Sequence, residues 1–234
     1  MEISSPSSTR KTVAILPAYN LEKSIAEIVR RTQPFVDFVL VVADGSKDGT
    51  GRAAREAGAI VPEPEATRGK GFAVIKGIEH SKKLGAGIVI LMDSDGQHLP
   101  EEIPVVVKPL LDGRADVVVG SRMLGTLRTS RINKFGNWGL KLISFAVTWR
   151  WMTDTESGFR AFLAEKLYEL RLESRGYEIE SELLLRALVK RWRIVEVPIN
   201  VPFAVPGVTV WDGFKVGWYK IKTGLRLRFS RGTA

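Results

Sequence analysis

The sequence predicts an α/β domain with a mainly parallel central sheet and helices on both faces. Three observations lead there. Short apolar runs rich in β-branched residues alternate with segments of helical periodicity through the first half of the chain, the pattern of strands buried on both faces. Polar clusters directly follow several of those runs, and ligands of such sheets sit beyond the carboxyl ends of the strands. A chain of 234 residues, 44% hydrophobic and 26% charged, can bury one sizeable core without disulfides or structural metal.

Taken in order, Thr12–Pro17 reads as a buried strand and Glu22–Thr32 as a helix stopped before Pro34. Phe38–Val42 is a second strand. A helix over Asp48–Ala57 ends at Gly58, a residue suited to a helix terminus. Ala59–Val61 is a candidate short third strand. A helix from Gly71 to Lys83, a strand from Gly87 to Met92, a helix from Glu101 to Leu111 and a strand from Asp116 to Gly120 complete the alternation. Further on, Glu180–Lys190 reads as a helix and Ile194–Pro198 as a strand. No internal repeat, low-complexity block or domain linker is evident.

Composition narrows the function classes. There is no cysteine, so disulfides, thiolate catalysis and zinc–thiolate sites are excluded, in keeping with a reducing compartment. The 35 basic and 26 acidic residues leave a net charge of +9, which suits an anionic partner. The bases are dispersed, with no helix-turn-helix or RNP-like motif, so no nucleic-acid partner is expected. Residues 1–10 read as a disordered lead-in without the apolar segment of a signal peptide. No stretch approaches the roughly 18 uninterrupted apolar residues of a membrane span.

Asp93-Ser94-Asp95 is the sharpest chemical signal. Two carboxylates two residues apart at a strand exit can face a hard divalent ion, and Gln97 adds an amide oxygen. Mg²⁺ or Mn²⁺ there would neutralise a diphosphate leaving group. The plain alternative is a solvated turn, but the strand context and the other clusters favour metal. Asp44, in Asp44-Gly-Ser-Lys-Asp-Gly-Thr50, suits hydrogen bonds from a nucleoside, whereas Gly45, Asp48 and Gly49 suit turn and cap roles. Arg68-Gly-Lys70-Gly71 opens a helix, where glycine backbone and a helix start favour an anion; a basic loop is the alternative.

Arg122, Arg128 and Arg131 follow the last strand of the first half. Their guanidinium groups suit phosphate oxygens, with scattered surface charge as the even alternative. Asp154 and Glu156 precede Ser157-Gly-Phe-Arg160 and are candidates to position an acceptor or act as a base. For Glu156 a structural turn is as good a reading. Glu180 and Glu182 lie at a helix start, where acids are favourable. Trp138, Phe145, Trp149 and Trp151 among Lys134, Lys141 and Arg150 favour a water–lipid boundary over an ordinary core helix. Trp218-Tyr-Lys-Ile-Lys222 and Arg226-Leu-Arg228 repeat that chemistry.

The ordered set Pro17-Ala-Tyr19-Asn20, Asp44–Thr50, Arg68–Gly71, Asp93-Ser-Asp-Gly-Gln97, Gly120-Ser-Arg122, Ser157–Arg160 and Glu196-Val-Pro-Ile199 resembles family 2 of the inverting glycosyltransferases. Within it, the chain is similar to dolichyl-phosphate mannosyl- and glucosyltransferases, over roughly residues 12–200. The resemblance implies a GT-A fold, a nucleotide-sugar donor (GDP-mannose or UDP-glucose) and a lipid-linked phosphate acceptor at the cytoplasmic membrane face. A soluble sugar or glycerate acceptor on the same fold is the second reading.

By motif position, Pro17, Tyr19, Asn20, Asp44 and Lys70 are expected to hold the donor together with Asp93, Ser94, Asp95, Gln97 and Arg122. Asp93, Asp95 and Gln97 form the expected metal set. Asp93, Asp95, Arg122, Arg131 and Asp154 form the expected catalytic set, with Arg122 and Arg131 on the acceptor phosphate. Residues 11–211 form the expected catalytic domain, with an acceptor loop and interface helix over 128–152, and 212–234 a basic amphipathic segment. The chain departs from the family at Leu21, which stands between Asn20 and Glu22, at Ala43 in place of an acid, and over Asn200–Trp211, where a base is usual.

Overall fold

A computed structural model describes residues 10–62, 69–125 and 151–202. Among these residues, six strands form one sheet: β1 (Thr12–Ala18), β2 (Phe38–Ala43), β3 (Ile88–Leu91), β4 (Val117–Ser121), β5 (Arg160–Leu163) and β6 (Ile194–Pro198). Their spatial order is β2-β1-β3-β5-β4-β6. The β1–β2, β1–β3 and β4–β6 pairs are parallel. Only β5 runs against its neighbours.

The helices are α1 (Ile25–Thr32), α2 (Thr50–Glu56), α3 (Lys70–Lys83), α4 (Ile103–Leu111), α5 (Ala164–Tyr168) and α6 (Glu178–Val189). Side chains along a strand alternate between faces, and the core divides accordingly. Ala14 and Leu16 of β1 pack with Ile25, Val29, Ile103 and Val106, so α1 and α4 cover one face. Val13 and Ile15 pack with Ala73, Val74, Ile179 and Leu183, so α3 and α6 cover the other. The expected doubly covered sheet is therefore present.

Several boundaries differ from the sequence expectation. α1 begins at Ile25 rather than Glu22, because the amides of Asn20, Leu21 and Glu22 donate to Ser46 Oγ, Thr50 Oγ1 and Asp48 Oδ2 across the rim. At its other end α1 stops at Thr32, ahead of Pro34 as expected, and Pro34 lies in a short 3₁₀ turn, Gln33–Phe35. Ala59–Val61 contributes a single parallel bridge, Leu40 to Ile60, and not a strand. Strand β5, Arg160–Leu163, falls where the sequence predicted no element. Four residues that begin with a charged one carry too little periodicity to declare a strand.

The reversed direction of β5 matters for function. Arg160, its first residue, pairs with Leu91 at the end of β3 and with Val119 in the middle of β4. The segment that leads into β5 is thereby delivered to the same rim as the carboxyl ends of the parallel strands. Among the described residues, no helix is long and apolar enough to cross a membrane. The lead-in, the region 126–150 and the segment 212–234 lie outside the described residues.

Candidate active site

The rim is assembled from strand exits that tie to one another. At the end of β1, Asn20 takes a left-handed backbone (φ 53°), a conformation asparagine tolerates better than most residues. Its side-chain Oδ1 accepts from the Lys47 amide at 3.0 Å. Thr50 N donates to Asp48 Oδ1 at 3.1 Å, so Asp48 shapes the turn before α2, while the N-cap itself is Gly49, without a side-chain cap bond. Tyr19 stands 52% exposed at this edge. Asp44 is buried, and its Oδ2 accepts from the Gly69 amide at 2.7 Å.

Asp93-Ser94-Asp95 leaves β3 between these loops. Ser94 Oγ donates to the Pro17 carbonyl, tying β3 to β1. The Asp93 amide donates to Nδ1 of the buried His98 at 3.2 Å, which places the imidazole proton on Nε2. The Asp93 carboxylate meets Lys70 Nζ at 2.5 Å. Lys70 also pairs with Glu180, so one ammonium joins α3, β3 and α6. Burial alone would raise the Asp93 carboxyl, but the charge of Lys70 beside it, with that of Arg122, holds it down at about 2. Glu180 goes the other way, pushed up by burial and by the Asp93 charge against the pull of Lys70. Lys70 itself is raised: burial disfavours its charge, and the two acids more than offset that.

Asp95 is exposed. Its two oxygens accept from the Gln97 amide at 3.0 Å and from Gln97 Nε2 at 2.6 Å. Among the described residues, no three histidine, cysteine or acidic side chains gather as a metal cage. Mg²⁺ and Mn²⁺ in phosphate-handling sites need only one or two protein oxygens, the rest coming from water and substrate. Asp95 fits that requirement, since each carboxylate oxygen retains a lone pair after one hydrogen bond, and the Gln97 carbonyl oxygen lies on the same turn. Asp93, already neutralised by Lys70, fits a supporting place better than a direct ligand position.

On the other side of the rim, Arg122 and Asp154 form a two-pronged pair, Nε to Oδ2 at 2.7 Å and Nη2 to Oδ1 at 2.9 Å. Asp154 is 4% exposed. Burial raises its carboxyl, and the Arg122 guanidinium beside it brings the net shift below the ordinary carboxylate value. Losing one partner of such a buried pair costs about 3–5 kcal/mol. Behind it, both oxygens of Glu196 accept from the Thr153 amide (3.0 and 2.9 Å), and Oε1 also takes the Asp154 amide at 2.9 Å. Arg160 is almost wholly buried and donates to the carbonyls of Ser157, Thr155 and Glu180. It clips the 154–157 loop to the start of α6.

The structure thus brings Pro17, Lys70, Asp93, Ser94 and Glu180 together, sets Asp95 and Gln97 beside them, and joins Arg122 to Asp154. Pro17, Lys70, Met92, Asp93, Gly158, Arg160 and Glu180 line one small cavity at this place. One expectation is corrected. The start of α3 is not an open anion cradle, because the Gly71 and Phe72 amides donate to the Arg175 carbonyl (2.8 and 3.3 Å) and the Gly69 amide to Asp44. Arg68, Arg128 and Arg131 lie outside the described residues. Sequence reasoning passed over His98 and the clip made by Arg160, and it named Glu196 only as part of a motif, without a role. It read Glu180 only as a helix-start acid, and no local pattern announced its pairing with Lys70, 110 positions away.

Residues 13–171 match the pattern of glycosyl transferase family 2. The UDP-N-acetylglucosamine–dolichyl-phosphate N-acetylglucosaminyltransferase of Methanococcus voltae is 34% identical over 229 residues, covering 86% of this chain and 91% of its own. The polyprenol monophosphomannose synthase of Mycolicibacterium smegmatis is 30% identical over 249 residues, covering 95% and 90%. Among solved structures, glucosyl-3-phosphoglycerate synthase from Mycobacterium tuberculosis, in complex with Mn²⁺, UDP-glucose and phosphoglyceric acid, superposes with a TM-score of 0.74 at 26% identity, over 94% of this chain and 80% of that one. A pattern that spans β1 to β5 and both halves of the rim, on a GT-A sheet shared with such neighbours, places the chain in glycosyl transferase family 2.

Proposed function

We propose that this glycosyltransferase moves a hexose from a nucleotide sugar to a dolichyl- or polyprenyl-type phosphate, working at the cytoplasmic face of a membrane. The observation that carries the reading is Asp95. It stands exposed on the rim beside a Lys70-neutralised Asp93, in a chain similar along most of its length to lipid-phosphate sugar transferases. Asp95 and Gln97 would hold Mg²⁺ or Mn²⁺, which when bound supplies Lewis-acid neutralisation of the donor diphosphate.

The chain's own groups do the rest by placement. Pro17, Tyr19, Asn20 and Asp44 border the nucleoside side of the rim, with Ser94 pinning its two central strands. Lys70 keeps the Asp93 carboxylate in one position. Asp154 holds the Arg122 guanidinium, and Arg122 with Arg131 would present the acceptor phosphate to the anomeric carbon from the face opposite the leaving group. A phosphate monoester has a second pKa of about 6, so it needs no strong general base at neutral pH. Positioning and charge neutralisation then supply most of the acceleration.

The test is a donor screen with labelled GDP-mannose, UDP-glucose and UDP-N-acetylglucosamine, a polyprenyl phosphate and Mn²⁺. Label should pass into the lipid extract with one donor. It should stop on chelation and return with added Mn²⁺. Asp95→Ala should lower turnover by about 100-fold or more with the fold intact. Full metal-dependent turnover in that variant would remove Asp95 from the site. The second reading, a soluble phosphoglycerate acceptor, is favoured by the superposition on the M. tuberculosis synthase. It predicts label that stays in the aqueous phase when phosphoglycerate replaces the lipid.

A further inference from the structure

One fully buried carboxylate stands behind the donor half of the site and has no part in the chemistry above. Glu182 on α6 has no exposed surface. Its oxygens accept from the Glu173 amide at 3.1 Å, from the Ser174 amide at 2.8 Å and from Arg186 Nε at 2.7 Å. Burial would raise this carboxyl, and its donors, led by Ser174, bring it below the ordinary value. Every bond it makes to backbone goes to one turn, that of residues 173 and 174.

That turn leans on the start of α3. The Arg175 carbonyl accepts from the Gly71 and Phe72 amides. The contact is backbone against backbone: a Cβ on Gly71 would lie 2.4 Å from the Ser174 carbonyl oxygen, and one on Gly69 2.6 Å from that of Arg175. From the same helix start, the Gly69 amide holds Asp44 and Lys70 holds Asp93. Two acids on the donor side therefore hang from three consecutive residues whose position is set by the 173–175 turn.

We propose that Glu182 is a positioning residue for the nucleotide donor. It fixes the 173–175 turn, the turn fixes residues 69–71, and these place Asp44 and Asp93. The inference rests on the reading of the chain as a nucleotide-sugar transferase. A buried acid with a merely structural role would, on loss, weaken donor and acceptor constants alike. A positioning role splits them, because Arg122, Asp154 and Glu196 are anchored by a separate set of bonds.

The experiment measures UDP and GDP binding with Mn²⁺, and KM for donor and acceptor, in wild type, Glu182→Gln, Glu182→Asp and Gly71→Ala. In Glu182→Gln the nucleotide Kd and the donor KM should rise by about tenfold or more, with acceptor KM within about twofold. Glu182→Asp, which keeps the charge, should recover part of the loss. Gly71→Ala presses on the same contact from the other side and should show the same split, with the double variant no worse than the worse single one. Should Glu182→Gln fail to fold, Gly71→Ala decides alone. Parallel loss of donor and acceptor constants, or unchanged donor binding in a folded Gly71→Ala variant, overturns the role of Glu182. A wild-type chain that binds neither nucleotide removes the transferase reading instead.

Discussion

At Gly158 the backbone passes directly beneath Asp93, and a Cβ there would lie 2.3 Å from the carboxylate Oδ2. The acid can keep its contact with Lys70 only because position 158 has no side chain. Gly158→Ala should therefore displace the carboxylate and lower turnover by about 100-fold, since small misplacements at a reacting site are costly. Circular dichroism and the unfolding midpoint should stay near wild type, because the added methyl group meets a partly exposed side chain rather than the core. Wild-type turnover in that variant would show that the position of Asp93 is not critical. The same reasoning separates Asp93 from Asp95. They share a motif, but one is an ion-pair partner inside the fold and the other faces the rim.

At the scale of elements, α3 is the piece on which the donor half depends. Its packing on the sheet is tight at Gly77, where a Cβ would lie 2.3 Å from Ile15 Cγ2 in the middle of β1. Gly77→Ala offers a better helix former but overfills the interface. The overpacking should win, with a net loss of about 1–3 kcal/mol measured by denaturant unfolding. A gain in stability would mean that the helix can lift off the sheet without penalty. β5 plays the matching part for the other half. An antiparallel strand enters the sheet from the edge at which its parallel neighbours leave. A chain segment rich in polar groups, Asp154 to Arg160, is thus brought to the rim without a further crossover.

For the whole molecule, the buried titratable groups set a direction for pH dependence. Burial holds the imidazole of His98 below its ordinary value of 6.5. The folded chain keeps it neutral while the unfolded chain takes up a proton, so stability falls as pH drops below about 6.5. Asp154 and Glu182 have net depressed carboxyls, against ordinary values of 3.8 and 4.5. Their stabilisation is present above those values and is lost on further acidification through the folded-state values. Denaturant midpoints should thus be level near neutrality, decline first below about pH 6.5 and decline again in stronger acid. His98→Asn, whose Oδ1 can take the Asp93 amide hydrogen, should remove the first decline and leave the second. Persistence of the first decline in that variant would assign it to another group.

The periodic features of the chain were legible without coordinates. Apolar runs announced β1 to β4, because a strand buried on both faces must be largely apolar, and a short apolar stretch announced the edge strand β6. Polar clusters after those runs announced the rim, because a parallel sheet gathers its carboxyl ends on one side. Asp93, Asp95 and Gln97 could be read together because they are neighbours in sequence. Tertiary structure alone decided what lies far apart along the chain: Lys70 between Asp93 and Glu180, Arg122 on Asp154, Glu196 on the Thr153 and Asp154 amides, and Glu182 behind the start of α3. Such pairings depend on which helix ends and loops meet in space, and local periodicity carries no information about that. The strand β5 was hidden for a related reason. Its four residues become a strand only because open edges of β3 and β4 stand on either side to receive their hydrogen bonds.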